Sequence, residues 1–382
     1  VLSRAHHVPA THTRYPHTGV LHEHAGDLVS LLLATLPECG VRSQQRAVNR
    51  LVRAALQQPA NDTFLKVLAA ALLEQAAGSK PLAPQTALTL LQWSVCVVQA
   101  LPAADVDGVG GSKALGKLLE AQGRLLDVLY GTRAHGSHSQ PLWSAAERVV
   151  SRLLRTRPQL LPKYLAAAAA SGSPGLVRVV GAATLQQQQQ QQQHQHQQRQ
   201  AAVDALLPVL CDKVLAARSK PPAQLVASFA PLLGALTPAE LNDTLLPAAA
   251  RAMRRTPEPA IAALAAALTH LQLDMSGAAR ELLAALLQQL RAKEAVRPAA
   301  DAALAALAAH VQDGRVAHAL VAQLAALLGG ASPEGKVKVA GERVALANAL
   351  AALSALPAAA AAAGAAEAAV DFCSTHYKEE RE

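Results

Sequence analysis

Apolar residues recur at helical intervals along most of the chain, and in its second half they fall into a repeat. A Leu-Leu pair appears at Leu206-Leu207, Leu245-Leu246, Leu286-Leu287 and Leu327-Leu328, at spacings of 39, 41 and 41 residues. Two of these pairs run straight into a proline, Pro208 and Pro247. A period near forty residues has room for two helices and their turns, the size of a HEAT unit; tetratricopeptide and ankyrin units are shorter by about six residues. Inside the units Ile261, Leu264, Leu268 and Leu271 share one helical face, as do Leu282, Leu283, Leu286, Leu287 and Leu290. Each stripe needs a neighbour to cover it. The pattern therefore predicts an all-α, HEAT-type α-solenoid of stacked antiparallel helix pairs.

Helix starts are marked as well. Thr237-Pro238-Ala239-Glu240 supplies a threonine N-cap, a proline at the first helical position and a glutamate at the third. Ser144-Ala145-Ala146-Glu147 reads as a second capping box, and Thr256-Pro257-Glu258 as a third start. Upstream, helix-sized apolar patterns run from about Asp27 to about Val180, interrupted by turns such as Gly78-Ser79-Lys80-Pro81 and Gly108-Val109-Gly110-Gly111. Five segments result. Residues 1–25 form a His-rich arm, expected to be disordered, and residues 26–182 a first HEAT-like array. Residues 183–200, with a glutamine tract from Gln186 to Gln193, read as a low-complexity linker, disordered or loosely helical. A second HEAT-like array spans 201–356, and an Ala-rich tail spans 357–382.

Composition strengthens the helical reading. Hydrophobic residues make up 51% of the 382 positions and aromatics only 2%. Thin layers filled by Ala, Leu and Val suit stacked helices better than a compact core that relies on rings. The balance of 35 basic against 27 acidic residues, net +8, permits an anionic partner such as RNA, a ribosome or a membrane surface without choosing among them. No apolar stretch reads as a membrane span; the alanine run from Pro357 to Val370 is too short and too weakly apolar. Cys39, Cys96, Cys211 and Cys373 lie far apart without a CxxC pair, which points to a reduced, intracellular chain and a cytoplasmic location.

Candidate chemistry is sparse. Gly111-Ser112-Lys113-Ala114-Leu115-Gly116-Lys117-Leu118 has the spacing of a phosphate-binding loop, but Leu118 stands where Ser or Thr must hold magnesium and no strand precedes it. A turn opening an amphipathic helix explains it better. The N-terminal histidines have no Cys or acidic cluster to complete a metal site. Trp93, Cys96 and Cys211 sit in apolar helical stretches and read as core. No catalytic residue, cofactor, metal site or small-molecule substrate is expected. What remains is basic: Lys213, Arg218 and Lys220 before Pro221-Pro222, then Arg251, Arg254 and Arg255 at the equivalent end of the next unit's first helix. Such cations could follow a phosphate backbone along one edge of the solenoid. They could equally complement helix C-terminal dipoles, and both roles can coexist.

An ordered series of short motifs adds a family resemblance. Lys220-Pro221-Pro222, Ala230-Pro231-Leu232-Leu233, Leu245-Leu246-Pro247 and Arg255-Thr256-Pro257-Glu258 are followed by Leu271-Gln272-Leu273-Asp274-Met275-Ser276, Leu327-Leu328-Gly329-Gly330 and Glu334-Gly335-Lys336-Val337. Upstream come Ala87-Leu88 with Leu91 and Trp93, Leu118-Leu119-Glu120-Ala121-Gln122, and Pro158 to Leu165. The series resembles the N-terminal region of the very large HEAT-repeat translational activators of the general amino-acid control pathway, the ILITYHIA-type proteins of plants. It covers residues 40–356, leaving out the His-rich start, the Gln insert and the tail. The resemblance implies a non-catalytic cytosolic scaffold that associates with translating or stalled ribosomes. It also implies a part in stimulating the kinase that phosphorylates the alpha subunit of initiation factor two. The family segments that meet this kinase and an ABC-type ATPase lie further along the family chain, so a fragment of this length is not expected to activate the kinase alone. Two rival readings remain: a generic HEAT protein-binding scaffold of the transport-receptor or phosphatase-subunit type, and an organellar RNA-binding helical repeat.

Overall fold

A computed structural model describes residues 24–35, 61–77, 82–101, 111–132, 140–185, 192–292, 294–329 and 340–354. Over these residues every regular element is helical. The chain divides into two compact units, Val1–Val149 and Val150–Glu382. The expected His-rich arm up to residue 23, the turns at 78–81 and 108–110, Gln186 to Gln191, Glu334-Gly335-Lys336-Val337 and the tail from Pro357 lie outside the described residues, as do Cys39 and Cys373.

The first unit holds α1 (Ala25–Thr35), α2 (Asn61–Ala77), α3 (Pro84–Ala100), α4 (Gly111–Thr132) and the first part of α5 (Gln140–Thr156). Helix α4 packs on α2 and α3, and α2 on α1. Leu68, Leu72, Leu90, Leu91, Leu115, Leu118 and Leu119 are fully buried in these contacts. Trp93 is core, as expected, and Trp143 meets Tyr130 with ring centroids 4.9 Å apart at 59°. That tilted arrangement suits the quadrupoles of two rings. The Gly111–Leu118 stretch is helical from its first residue, with Leu115 and Leu118 inward and Lys113 and Lys117 exposed. It is the opening of an amphipathic helix.

One predicted start is corrected. Ser144 is not an N-cap: α5 begins a turn earlier, at Gln140, and the Ser144 carbonyl accepts a hydrogen bond from Arg148 Nε at 3.1 Å. Pro141 stands at the helix entrance, where its missing N–H has no intrahelical bond to lose, and burial of Trp143 favours helical backbone ahead of Ser144.

The second unit is the repeat. After α6 (Leu161–Ser171) and α7 (Pro174–Leu185), first helices α8 (Gln192–Val209), α12 (Leu246–Arg255), α14 (Ser276–Ala292) and α16 (Gly314–Gly329) alternate with second helices. The second helices are the broken pair α9 (Ala223–Ser228) and α10 (Ala230–Leu233), then α13 (Pro257–Leu268), α15 (Arg297–Ala308) and α17 (Ala340–Ser354). Partners within a unit touch, as in α12–α13, α14–α15 and α16–α17. Equivalent helices of neighbouring units also stack, α13 on α15, α15 on α17 and α14 on α16. This two-layer stacking is a HEAT-type α-solenoid. Of the repeated leucines, only Leu246 is less than buried.

The prolines leave a mark. A wide, π-helical turn at Leu210–Leu215 follows Pro208, and another at Leu241–Leu245 precedes Pro247. A proline inside a helix has no N–H to donate, and its ring presses on the carbonyl four residues back. For Pro247 that carbonyl belongs to Asp243, inside the wide turn, which absorbs the misfit. Just before it, α11 (Pro238–Glu240) starts on the predicted capping box: Glu240 N–H donates to Thr237 Oγ1 at 3.3 Å, and Thr237 N–H to Glu240 Oε2 at 2.7 Å. Thr256 also precedes its helix as expected, yet its hydroxyl leaves the cap and donates to Ala217 O, 39 residues back, at 3.3 Å.

Polar ties of this kind join one repeat to the next. Met275 N–H donates to His310 O at 2.8 Å, and Asp274 Oδ1 with Ser276 Oγ receive the Gln312 and Asp313 amides at 2.9–3.1 Å. Burial would raise the Asp274 carboxyl, but the hydrogen bonds from Ser276 and Gln312 hold it below its ordinary value. Arg199 ties further: its guanidinium grips Glu240 at 2.5 and 3.1 Å and reaches Ala235 O at 2.8 Å. Arg199 lies in the glutamine-rich segment read as a linker, whose later part, from Gln192, is the first half of α8. Leu- and Ala-rich layers present smooth surfaces that could slide, and fixed hydrogen bonds at forty-residue intervals give each joint one register.

Candidate nucleic-acid interface and a polar groove

The two basic clusters meet at one edge of neighbouring repeats. Lys213 lies in the wide turn that ends α8, with Arg218 and Lys220 in the loop after it. Arg251, Arg254 and Arg255 ride the last turns of α12, which packs against that wide turn. The Thr256–Ala217 hydrogen bond closes the gap between the clusters. All six side chains are exposed.

They are not equivalent. Lys213 Nζ donates to Ala169 O and Ala170 O, each at 2.9 Å, at the end of α6. These are helix-terminal carbonyls, so Lys213 acts as a C-terminal cap and complements the dipole. Its alkyl chain passes over Gly172, whose φ of +66° ends α6 in the left-handed region. A Cβ at Gly172 would stand 3.1 Å from Lys213 Nζ, so the glycine serves both the backbone turn and the lysine. Arg218, Lys220, Arg251, Arg254 and Arg255 form no ion pair among the described residues and present their charge to solvent.

Arg251 also stands near Cys211. Burial first, then Asp212, push that thiol up to about 11, with Arg251 opposing them. A thiol so raised is an inert small hydrophobe. Cys96, expected as buried, is half-buried. The sequence also carries the signal of another basic turn. Arg155-Thr156-Arg157-Pro158 parallels Arg254-Arg255-Thr256-Pro257, and the residue before each proline adopts nearly the same backbone, φ −135° and ψ 70° against φ −136° and ψ 75°. A residue preceding proline is restricted in this way by the ring.

At the far end of α13, about 18 Å from the basic edge at 1.5 Å per residue, a groove of about 420 Å³ opens between α7, α10 with the turn after it, and the turn that follows α13. Arg178 of α7, Leu185, Pro231, Gly234, His270 and Gln272 line it. Arg178 donates through Nη1 to Ala227 O at 3.4 Å, while its buried Nε has no hydrogen-bond partner among the described residues. Burial first and the nearby Arg178 charge second hold His270 below the ordinary histidine value. Nothing in the sequence singled out this groove, because its walls come from segments up to about ninety residues apart.

Among the described residues no group of three or more His, Cys, Asp or Glu is placed to hold a metal ion, and no helix is long and apolar enough to cross a membrane.

Residues 203–337 match the family described as the stalled ribosome sensor GCN1 N-terminal region. The match takes in α8 from Val203, the basic edge, and most of the groove. The chain is 28% identical over 318 residues to the human stalled ribosome sensor GCN1, and 27% identical over 319 residues to the mouse protein. Each alignment covers 81% of this chain but only 12% of the relative. Similarity to Protein ILITYHIA of Arabidopsis thaliana is 30% over 138 residues, 36% of this chain and 5% of that protein. No solved structure matches the chain at a significant level. The chain is thus similar to the N-terminal part of GCN1-type proteins at modest identity, and spans about an eighth of the length of the GCN1 relatives.

Proposed function

We propose that the chain is a non-catalytic scaffold that associates with ribosomes through the edge formed by Arg218, Lys220, Arg251, Arg254 and Arg255. The observation that carries this reading is the juxtaposition of two exposed basic clusters, five of whose six cations form no ion pair among the described residues, inside the segment that matches the stalled ribosome sensor GCN1 N-terminal region. A rigid edge of arginines suits ribosomal RNA, whose phosphates take a planar guanidinium in bidentate fashion. Lys213 supports the edge from behind by fixing the wide turn to α6. In a longer protein carrying the remaining family segments, the scaffold would help activate the initiation-factor-two alpha kinase and would serve alongside an ABC-type ATPase, working in the cytoplasm. The chain alone is expected to leave the kinase's rate unchanged in a reconstituted phosphorylation assay.

The test is co-sedimentation of the 382-residue chain with purified eukaryotic ribosomes across a salt series. Neutralised phosphates release counterions, so affinity is expected to fall steeply, with a log–log slope of about −0.7 to −0.9 per phosphate contact. Binding that is flat with salt would remove the basic edge from the reading and favour a generic protein-binding scaffold.

A further inference from the structure

We infer that the groove at the far end of α13 is a second binding site, one that accepts an acidic side chain from an extended segment of a partner protein. The case rests first on charge. The groove carries the Arg178 guanidinium and no carboxylate in its lining. Arg178 uses Nη1 on Ala227 O and forms no ion pair among the described residues. A guanidinium in this state is costly to leave unanswered, and a carboxylate is the group its fork fits.

The second support is the make-up of the walls. Gln272 is exposed, and its carboxamide lies against Gly234, where a Cβ would come within 3.5 Å of it. It offers an N–H donor in the same groove as the arginine. Leu185, Pro231 and Leu271 supply apolar wall for the methylenes that carry a carboxylate. The volume of about 420 Å³ admits one or two side chains and their backbone, less than a folded surface would need.

The third support is the sign and size of the charge. His270 is kept on the neutral side by burial and by Arg178, so the groove holds a single positive charge. One charge balances a monoanionic carboxylate and leaves a phosphate dianion half compensated. The loop is also held in place before any ligand arrives: Arg199 donates to Ala235 O at 2.8 Å while it grips Glu240. A wall already ordered loses little freedom on binding.

The site is separate from the basic edge, so its success or failure is independent of ribosome binding. The probe is a fluorescein-labelled octapeptide of alternating Glu and Ala, with the Gln/Ala peptide as control, read by fluorescence anisotropy on the full chain. The Glu peptide is expected to bind at least tenfold tighter than the Gln peptide. Gln272→Glu, an exposed change that sets a carboxylate in the same groove as Arg178, is expected to weaken binding at least fivefold, and Arg178→Met to abolish it. Arg178 also bonds to Ala227 O, so Gln272→Glu is the deciding variant. The combined Arg251→Glu, Arg254→Glu and Arg255→Glu variant is expected to bind within twofold of the parent. Three results would overturn the inference: equal binding of the two peptides; loss of binding in the edge variant with Gln272→Glu unaffected; or tenfold tighter binding when phosphoserine replaces Glu.

Discussion

The two units solve the same packing problem with different means. In the first, Trp93, Trp143 and Tyr130 fill the spaces that leucines leave between helices. The second unit buries Tyr164 and Phe229 near its start, but its later repeats, residues 246–354, contain no Phe, Tyr or Trp, and polar ties at forty-residue intervals join one repeat to the next. A large ring gives a joint its shape by volume: only one arrangement accommodates it. A layer of Leu and Ala has no such feature, so hydrogen bonds must choose the register. The difference teaches that the alanine-rich later repeats of a solenoid can dispense with aromatics if each repeat carries a polar anchor into the next.

Removing either device should expose the contrast. The largest effect is expected at the ring contact. Trp143→Ala should cost about 3–5 kcal/mol in the first unit and leave the second unit's melting transition in place. Scanning calorimetry that resolves two transitions checks this, and equal shifts in both would mean that the units do not melt separately.

Next comes Arg199→Ala, which strands Glu240 with both side chains only 12% and 16% exposed. A loss of about 3 kcal/mol is expected from the second unit. The same pair makes stability depend on acid. Burial alone would raise Glu240; the hydrogen bonds from Arg199 and Thr237 overcome it and set the folded value below 4.5. A carboxyl depressed in the folded state contributes stability above its unfolded value, and that contribution is lost as pH falls through the lower folded one. Urea titrations between pH 6 and 3 should therefore show the parent converging on Arg199→Ala at the acid end. Parallel curves would assign the loss to packing alone.

The smallest effect is expected at Gly172. Alanine there must adopt the left-handed region at a cost of about 1–2 kcal/mol and displace Lys213 from the end of α6. Lys213→Ala should recover part of the deficit in the double variant, because the clash disappears. Full additivity of the two changes would show that the lysine and the glycine act separately.

Sequence patterning disclosed the period, the buried faces and the Thr237 cap because each depends on residues within one turn or one repeat of each other. Features that depend on more distant partners are less legible. Ser144 has every local feature of an N-cap, yet Trp143, buried against Tyr130, lies inside a helix that began a turn earlier. The glutamine-rich stretch gives no local sign that Arg199 meets Glu240, 41 residues away. The basic edge was legible as composition and spacing. The distinct role of Lys213, and the groove around Arg178, depend on which carbonyls and loops the stacking brings near, and no local pattern carries that information.

The central claim, that the arginine edge meets the ribosome, is tested most directly by changing Arg251, Arg254 and Arg255 together to Glu. All three are exposed and form no ion pair among the described residues, so the thermal melt should match that of the parent chain. Sedimentation with ribosomes at low salt is then predicted to fall to background for the variant while the parent pellets. A correctly folded variant that pellets as well as the parent would contradict the account.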